Sequence, residues 1–328
     1  MLKASILSAL PTAAMLLSAA VFADSSSLTE QVNALWQAKD YQAAQQLLAG
    51  KVDRKTKDAE LLALLGQTEA LLDNKEEAEG LLEKALKYNA EHADYQHWYA
   101  TVSCNLASSA SMFSAMGYAK RCRQAYEKAL DLAPQNPRSY IALGSFYAQA
   151  PGIAGGDKAK ALDLASRLST LDALQGAILQ LKATDVSDEA TFNALLANSD
   201  ILSKRPESYF QRGMTLAREE KYDQAIVLLQ QALQQPAADD DAMATLTESR
   251  YQLARCAVLG KTAVAEGIAA MQLYLQENPA SDRLDWAQLR LAQLYVLSDQ
   301  TDKANAITQP LLASTDDDKL KAELKKLL

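Results

Sequence analysis

The stretch PESYFQRGMTLAREEKYDQAIVLLQQALQQP, residues 206–236, decides the fold. Tyr209, Gly213 and Leu216 recur at helical spacing, and Lys221-Tyr222-Asp223 marks a turn. Ala225, Leu229 and Ala232 then form a second helical face, which Pro236 terminates. From Gly213 the next small residue lies 12 positions on, Leu229 lies 4 further and Ala232 another 3. Two antiparallel helices approach closely only where no bulky side chain separates them, so Gly213 and Ala225 have a physical reason to be small. The tyrosines fill the wider space around that contact.

The same spacing appears at Gly66, Ala78, Leu82 and Ala85. Looser copies run Val32, Ala44, Leu48, Lys51 and Ala292, Ala304, Thr308, Leu311. A repeat with a period of roughly 34 residues predicts stacked helix–turn–helix units. Eight units are expected. They are Leu28 to Val52, Ala59 to Ala90, Ala93 to Pro134, Pro137 to Asp172, Leu171 to Lys204, Pro206 to Pro236, Ala242 to Pro279 and Leu284 to Ala313. The third places Ala100 on its first helix and Cys122, Tyr126 and Ala129 on its second; its gap is 22 rather than 12, so about ten residues are inserted near 108–117. The fourth, with Gly144, Ala161, Ala165 and Leu168, carries five extra residues within 150–156. The fifth rests on Gly176, Ala190, Ala194 and Ala197, and Pro310 is expected to kink or shorten the last helix of the eighth. Asp316 to Leu328 reads as an amphipathic helix with Leu320, Leu324 and Leu327 on one face, suited to covering the end of a repeat stack. The fold expected is all-α, with one array over 24–182 and a second over 183–328.

Residues 1–23 stand apart from this pattern. Lys3 precedes a mostly apolar run from Ile6 to Phe22, and Val21-Phe22-Ala23 offers small residues at the two positions a signal peptidase reads. The run is short for a membrane span and contains Pro11, so it reads as a secretory signal peptide cleaved after Ala23. The mature chain is expected in an exported compartment, the periplasm in a Gram-negative bacterium, with no membrane insertion after cleavage. The net charge of −8 opposes any broad role on nucleic acid or anionic lipid, both of which need basic surface.

Three cysteines occur, at 104, 122 and 256. Cys104 and Cys122 belong to one helical pair, where either a disulfide or apolar core packing is geometrically reasonable. Cys256, beside Leu253, Ala254 and Ala257, reads as a core residue.

The small, small, bulky, small pattern with a closing proline resembles the tetratricopeptide repeat, best at 206–236 and more loosely over nearly all of the mature chain. Tyr95-Gln-His-Trp98, Ala125-Tyr126-Glu127-Lys128-Ala129-Leu130 and Ala150-Pro-Gly-Ile-Ala-Gly-Gly156 are similar to exported bacterial repeat proteins sharing an Ala-Pro-Gly insertion. The resemblance implies a right-handed superhelix whose first helices line a concave groove that binds peptides or protein segments. Groove-facing residues would then be His97, Arg138, Ile141, Phe210, Met214, Arg218, Tyr251 and Arg255. Aromatics and arginines there suit an interface, and the arginines suit acidic side chains or a terminal carboxylate. The inserted loop with Pro151, Gly152, Gly155 and Gly156 would project at the groove rim.

Enzyme chemistry finds little support. Gly152 to Lys158 is loosely like a phosphate loop, but Asp157 stands where glycine must precede lysine and Ala159 replaces the hydroxyl residue. His92 and His97, five apart, do not share a helix face, and no nucleophile-elbow, dinucleotide or calcium motif appears. No catalytic residue, metal or cofactor is implied. The expected function is a periplasmic, non-enzymatic interaction scaffold in envelope assembly, transport or maintenance, with self-association through its ends a related role. A competing reading is a small-ligand-binding accessory of a transport system, with Trp36, Trp98 and Trp286 as wall residues.

Overall fold

The computed structural model describes residues 27–328; the expected signal peptide lies outside them. The described residues are all-α, with seventeen α-helices and no strand. They divide into two compact units, one ending at Pro134 and the other running Gln135–Leu328. The division expected after residue 182 instead falls inside a helix, α9, whose Leu181 and Ala183 are both buried.

In the first unit the pairs are α1 (Leu28–Gln37) with α2 (Tyr41–Ala49), α3 (Ala59–Leu71) with α4 (Lys75–Tyr88), and α5 (Ala93–Ser109) with α6 (Met112–Leu132). Each pair packs on the next through α2 on α3 and α4 on α5. The small positions do what the spacing requires: Val32, Ala44, Leu48, Ala78, Leu82, Ala85, Ala100, Cys122 and Ala129 are all fully buried. At Gly66 an added Cβ would sit 2.8 Å from Leu82 Cγ, so the α3–α4 contact has no room for a side chain. Layers on both sides bury α3 from Leu62 through Glu69. The Glu69 carboxylate accepts from Gln45 Nε2 (2.9 and 3.1 Å) and Asn74 Nδ2 (2.7 Å), and Thr68 Oγ1 accepts from Trp36 Nε1 at 3.1 Å. Buried polar groups survive here because each has a partner.

The insertion expected near 108–117 is not a loop. It lengthens both helices of the third pair, to 17 and 21 residues, and leaves a tight turn at Ala110-Ser111. A Cys104–Cys122 disulfide, with Cα atoms 5.2 Å apart, joins these two helices. Cys256 is a buried free thiol, pushed up to about 11 by burial.

The second unit contains α7 (Pro137–Gln149) with α8 (Lys158–Ser169), α9 (Ala173–Ala183), α10 (Glu189–Ala197), α11 (Pro206–Arg218) with α12 (Tyr222–Leu233), α13 (Asp240–Gly260) with α14 (Val264–Glu277), α15 (Leu284–Leu297) with α16 (Thr301–Ser314), and α17 (Asp318–Lys325). Here too Ala161, Ala165, Leu168, Ala225, Leu229, Ala232, Ala292 and Ala304 are buried. The fifth repeat departs from expectation. Its α9 packs back on α8, where a Cβ on Gly176 would come within 2.6 Å of Ser169 Cα. Ala190, Ala194 and Ala197 of α10 face solvent, and Phe192 and Leu195 are buried in their place. Pro310 neither shortens nor ends α16, which runs on to Ser314. Leu320 and Leu324 of α17 bury against Leu289 and Leu311, so the last helix covers the end of α15 and α16 as expected.

Arg205 fixes where α13 begins. Its buried guanidinium donates to Glu207 (2.9 and 2.5 Å) and to Asp239 (2.5 and 2.9 Å). Asp239 also caps α13 by accepting from the Ala242 amide at 2.9 Å. The Arg205 hydrogen bond, helped by that amide, holds the Asp239 carboxyl down to about 2.

Four outcomes are expected. Gly66→Ala should cost roughly 1–3 kcal/mol of stability through overpacking against Leu82. Gly213→Ala should be near neutral, because the new Cβ meets Leu229 Cγ at 3.3 Å and alanine gains helix propensity; equal melting losses for the two variants would contradict the packing described. Replacing Cys104 and Cys122 together by serine should lower stability by about 3 kcal/mol, as for any short closed loop, and reductant should then leave the melt unchanged. Because the folded Asp239 carboxyl titrates at about 2 against an ordinary 3.8, its contribution is full above the ordinary value and disappears as pH falls through the folded one. Arg205→Gln should therefore flatten the stability curve over that acid window, read by melts at stepped pH.

Candidate functional site

Two of the expected groove residues are buried. His97 is buried on α5, its ring edge-on to Tyr126 at 5.3 Å, and so belongs to the packing of the third pair. Tyr251 is buried on α13 between the Tyr274 ring at 5.3 Å and the Arg283 guanidinium at 5.5 Å. Both corrections have one cause. A first-helix position can face either its own partner helix or the next pair, and sequence spacing does not separate the two.

The remaining candidates are accessible. Phe210, Met214 and Arg218 follow one another at four-residue spacing on α11, along a single stripe. Phe210 and Met214 are half-buried, Phe210 leaning on the core, while Arg218 is exposed with its Nη2 donating to Thr215 Oγ1 at 3.1 Å. On α13, Arg255 is half-buried and donates to Gln252 Oε1 at 3.3 Å; Leu259, one turn on, is 43% exposed. Arg138 is exposed in the first turn of α7 and Ile141 is half-buried one turn later. These side chains give apolar contact area with cationic ends.

The inserted loop is compact. Gly152–Ala154 forms a single 3-10 turn, and Gly155 adopts φ 99°, a left-handed conformation suited to glycine. Gly156 lies so close to the Ala150 carbonyl that any Cβ would collide with it. Asp157 closes the loop: its amide donates to Tyr147 O at 2.8 Å and its side chain caps α8 through the Ala159 and Lys160 amides. The glycines therefore serve chain geometry, leaving Ile153 at the tip 82% exposed beside Pro151.

An open cleft of about 510 Å³ was not anticipated. Its walls are the N-terminal half of α13 (Asp240, Met243, Glu248) and the segment between α14 and α15 (Asn278, Asp282, Arg283). Arg283 Nη1 donates to both Glu248 oxygens at 3.0 and 2.9 Å and ties the two walls together. The cleft exists because α13 starts 14 residues before its small residue Ala254, whereas α11 starts 7 before Gly213. That overhang was legible as the distance from the capping Asp239 to Ala254.

His92 caps α5 through Nδ1, which accepts from the Tyr95 amide at 3.4 Å. Among the described residues, no three His, Cys, Asp or Glu side chains gather in a way that could hold a metal ion. Trp36 and Trp286 pack in separate hydrophobic clusters.

No curated protein sequence matches the chain. Among solved structures it is similar to a tetratricopeptide repeat protein from Parabacteroides merdae, at 12% identity and a TM-score of 0.47, covering 92% of this chain and 97% of that one. It is similar to PilW, described as a type IV pilus biogenesis factor, at 12% identity and a TM-score of 0.48, covering 82% and 99% respectively. The thermophilic protein TTC0263 from Thermus thermophilus aligns at 15% identity and a TM-score of 0.42, covering 68% and 96%. The tetratricopeptide repeat itself matches residues 106–136 and 206–238. The stretch that first revealed the repeat is thus similar to the tetratricopeptide repeat, and so is a stretch centred on the second helix of the third pair.

Proposed function

We propose that this protein is a non-enzymatic interaction scaffold that holds a peptide or protein segment along the first helices of its repeats. The observation that carries the reading is the α11 stripe of Phe210, Met214 and Arg218, together with Arg255 and the exposed Leu259 on α13. Half-buried aromatic and sulfur side chains are already partly ordered by the core, so a partner orders little more on binding them. Arginine ends supply charge-assisted bonds to carboxylates. The chemistry favoured is an extended segment with apolar anchors and acidic side chains or a free C-terminus.

The site of action proposed is an exported compartment, the periplasm for a Gram-negative source, in assembly, transport or maintenance of the envelope. Two features support it. The first 23 residues have the charge and small-residue pattern of a cleaved leader. Cys104 and Cys122 are bonded, and such bonds persist where the surroundings oxidise thiols.

Proximity labelling in the native envelope, comparing the natural protein with an Arg218→Glu, Arg255→Glu variant, tests the reading. The doubly changed protein should keep its helical spectrum and melting point while labelling of the specific partner falls about tenfold, the loss of one to two charge-assisted contacts. Undiminished labelling by that variant removes these arginines from the site.

A further inference from the structure

The turn between α5 and α6 carries the most exposed large apolar side chain among the described residues, Phe113 at 92%, with Met112 at 82% beside it and Met116 at 38% one turn behind. Their exposure follows from the lengthening of the third pair. Helix α4 begins three residues before its packing residue Ala78, whereas α6 begins ten before the corresponding Cys122. Those seven extra residues extend α6 by about 10 Å at 1.5 Å per residue. Helix α5 likewise runs nine residues past Ala100, where α3 runs five past Gly66. The overhanging turns bury almost nothing, and every residue from Ser111 to Ser114 is exposed. The Cys104–Cys122 disulfide ties the two helices together at the base of the overhang.

The charge around this tip differs from the rest of the chain. In a protein of net charge −8, residues 95–126 contain no Asp or Glu, and Lys120, Arg121 and Arg123 are their only charged side chains apart from histidine. Arg121 turns back to Glu79 at 2.9 Å and Arg123 to Glu127 at 2.9 Å. Lys120 stays exposed, on the same face as Phe113 and Met116 at spacings of seven and four. It lies about 10 Å behind Phe113 along the helix. The hydroxyls at the turn are spent locally, Ser108 donating to Cys104 O and Ser109 to Asn105 O.

We propose that this tip is a peripheral contact for an anionic lipid surface: Met112 and Phe113 enter the boundary between headgroups and acyl chains, and Lys120 meets lipid phosphate. A depth of about 5–10 Å is what interfacial apolar side chains reach, and it matches the separation of Phe113 from Lys120. A protruding point of two apolar side chains, with its neighbouring hydroxyls already bonded, offers a protein partner little directional chemistry. A bilayer asks for none, but it does penalise carboxylates near its phosphates, and the tip has none. The contact is peripheral; no described helix is long and apolar enough to cross a membrane. It is independent of the peptide-binding reading, with which it shares no residue.

Flotation of the mature chain, residues 24–328, with vesicles of phosphatidylcholine and phosphatidylglycerol in equal parts tests it. The natural protein should float with the vesicles. Replacing Met112 and Phe113 together by serine should reduce binding about tenfold or more through lost apolar burial. Lys120→Glu should reduce it about five-fold or more through lost attraction to anionic lipid. Both changes lie on exposed positions, so helicity and the disulfide should persist. Phe113→Trp should add fluorescence quenched by vesicles with brominated acyl chains. No flotation of the natural protein, full flotation of the serine variant, or a tip tryptophan that brominated lipid leaves unquenched would overturn the proposal. So would self-association or protein capture that depends on Phe113 without vesicle binding.

Discussion

Close approach of two helices at a position without a side chain governs this protein. At Gly66 the facing Leu82 occupies the space a Cβ would need, and at Gly176 the backbone of Ser169 does. Helices of 8 to 21 residues are marginal on their own in water, so their stability comes from the surface they bury against one another. Spaced-out helices would bury less, and the repeats would not hold. This is why alanine, glycine and cysteine occupy the contact line while leucine and tyrosine fill its flanks.

The departures from the repeat are where surface is made. Lengthening a pair beyond its neighbours leaves turns that nothing covers, as at Met112 and Phe113. Lengthening one helix of a pair, as in α13, opens a cleft beside the next. Each departure has a fastener at its base: the Cys104–Cys122 bond below the α5–α6 overhang, and the Arg205 clamp with Glu207 and Asp239 at the start of α13. The disulfide removes freedom from the unfolded chain, while the clamp satisfies a buried guanidinium that would otherwise be costly. Neither fastener is part of the repeat pattern.

Contact chemistry follows from the same geometry. A first helix shows solvent only the face that neither its partner nor the next pair occupies, so few side chains per repeat are free to meet a ligand. On α11 that face carries Phe210, Met214 and Arg218. On α13 part of it is already taken, with Tyr251 enclosed by Tyr274 and Arg283. The recognition proposed thereby concentrates on a short stripe, in keeping with interfaces in which a few anchored side chains dominate.

The helix pairs, their small contact residues and the covering role of the last helix are legible in the residue pattern, because a spacing of 12, 4 and 3 is a local property that backbone geometry converts directly into a face. It also marked the insertions by their excess length. It did not determine what the insertions become: ten extra residues near 108–117 make a loop or longer helices with the same count, and only packing of α5 against α6 made them helices. Nor did it separate His97 and Tyr251, which are buried, from Phe210 and Arg218, which are not. Whether a first-helix side chain meets solvent depends on where the next pair lies. The fifth repeat departs from its spacing for a related reason: Gly176 meets the preceding helix, and Phe192 and Leu195 take the place of the alanines as the buried face of α10. Periodicity fixes which residues share a face; only the neighbours brought in by folding decide what that face touches.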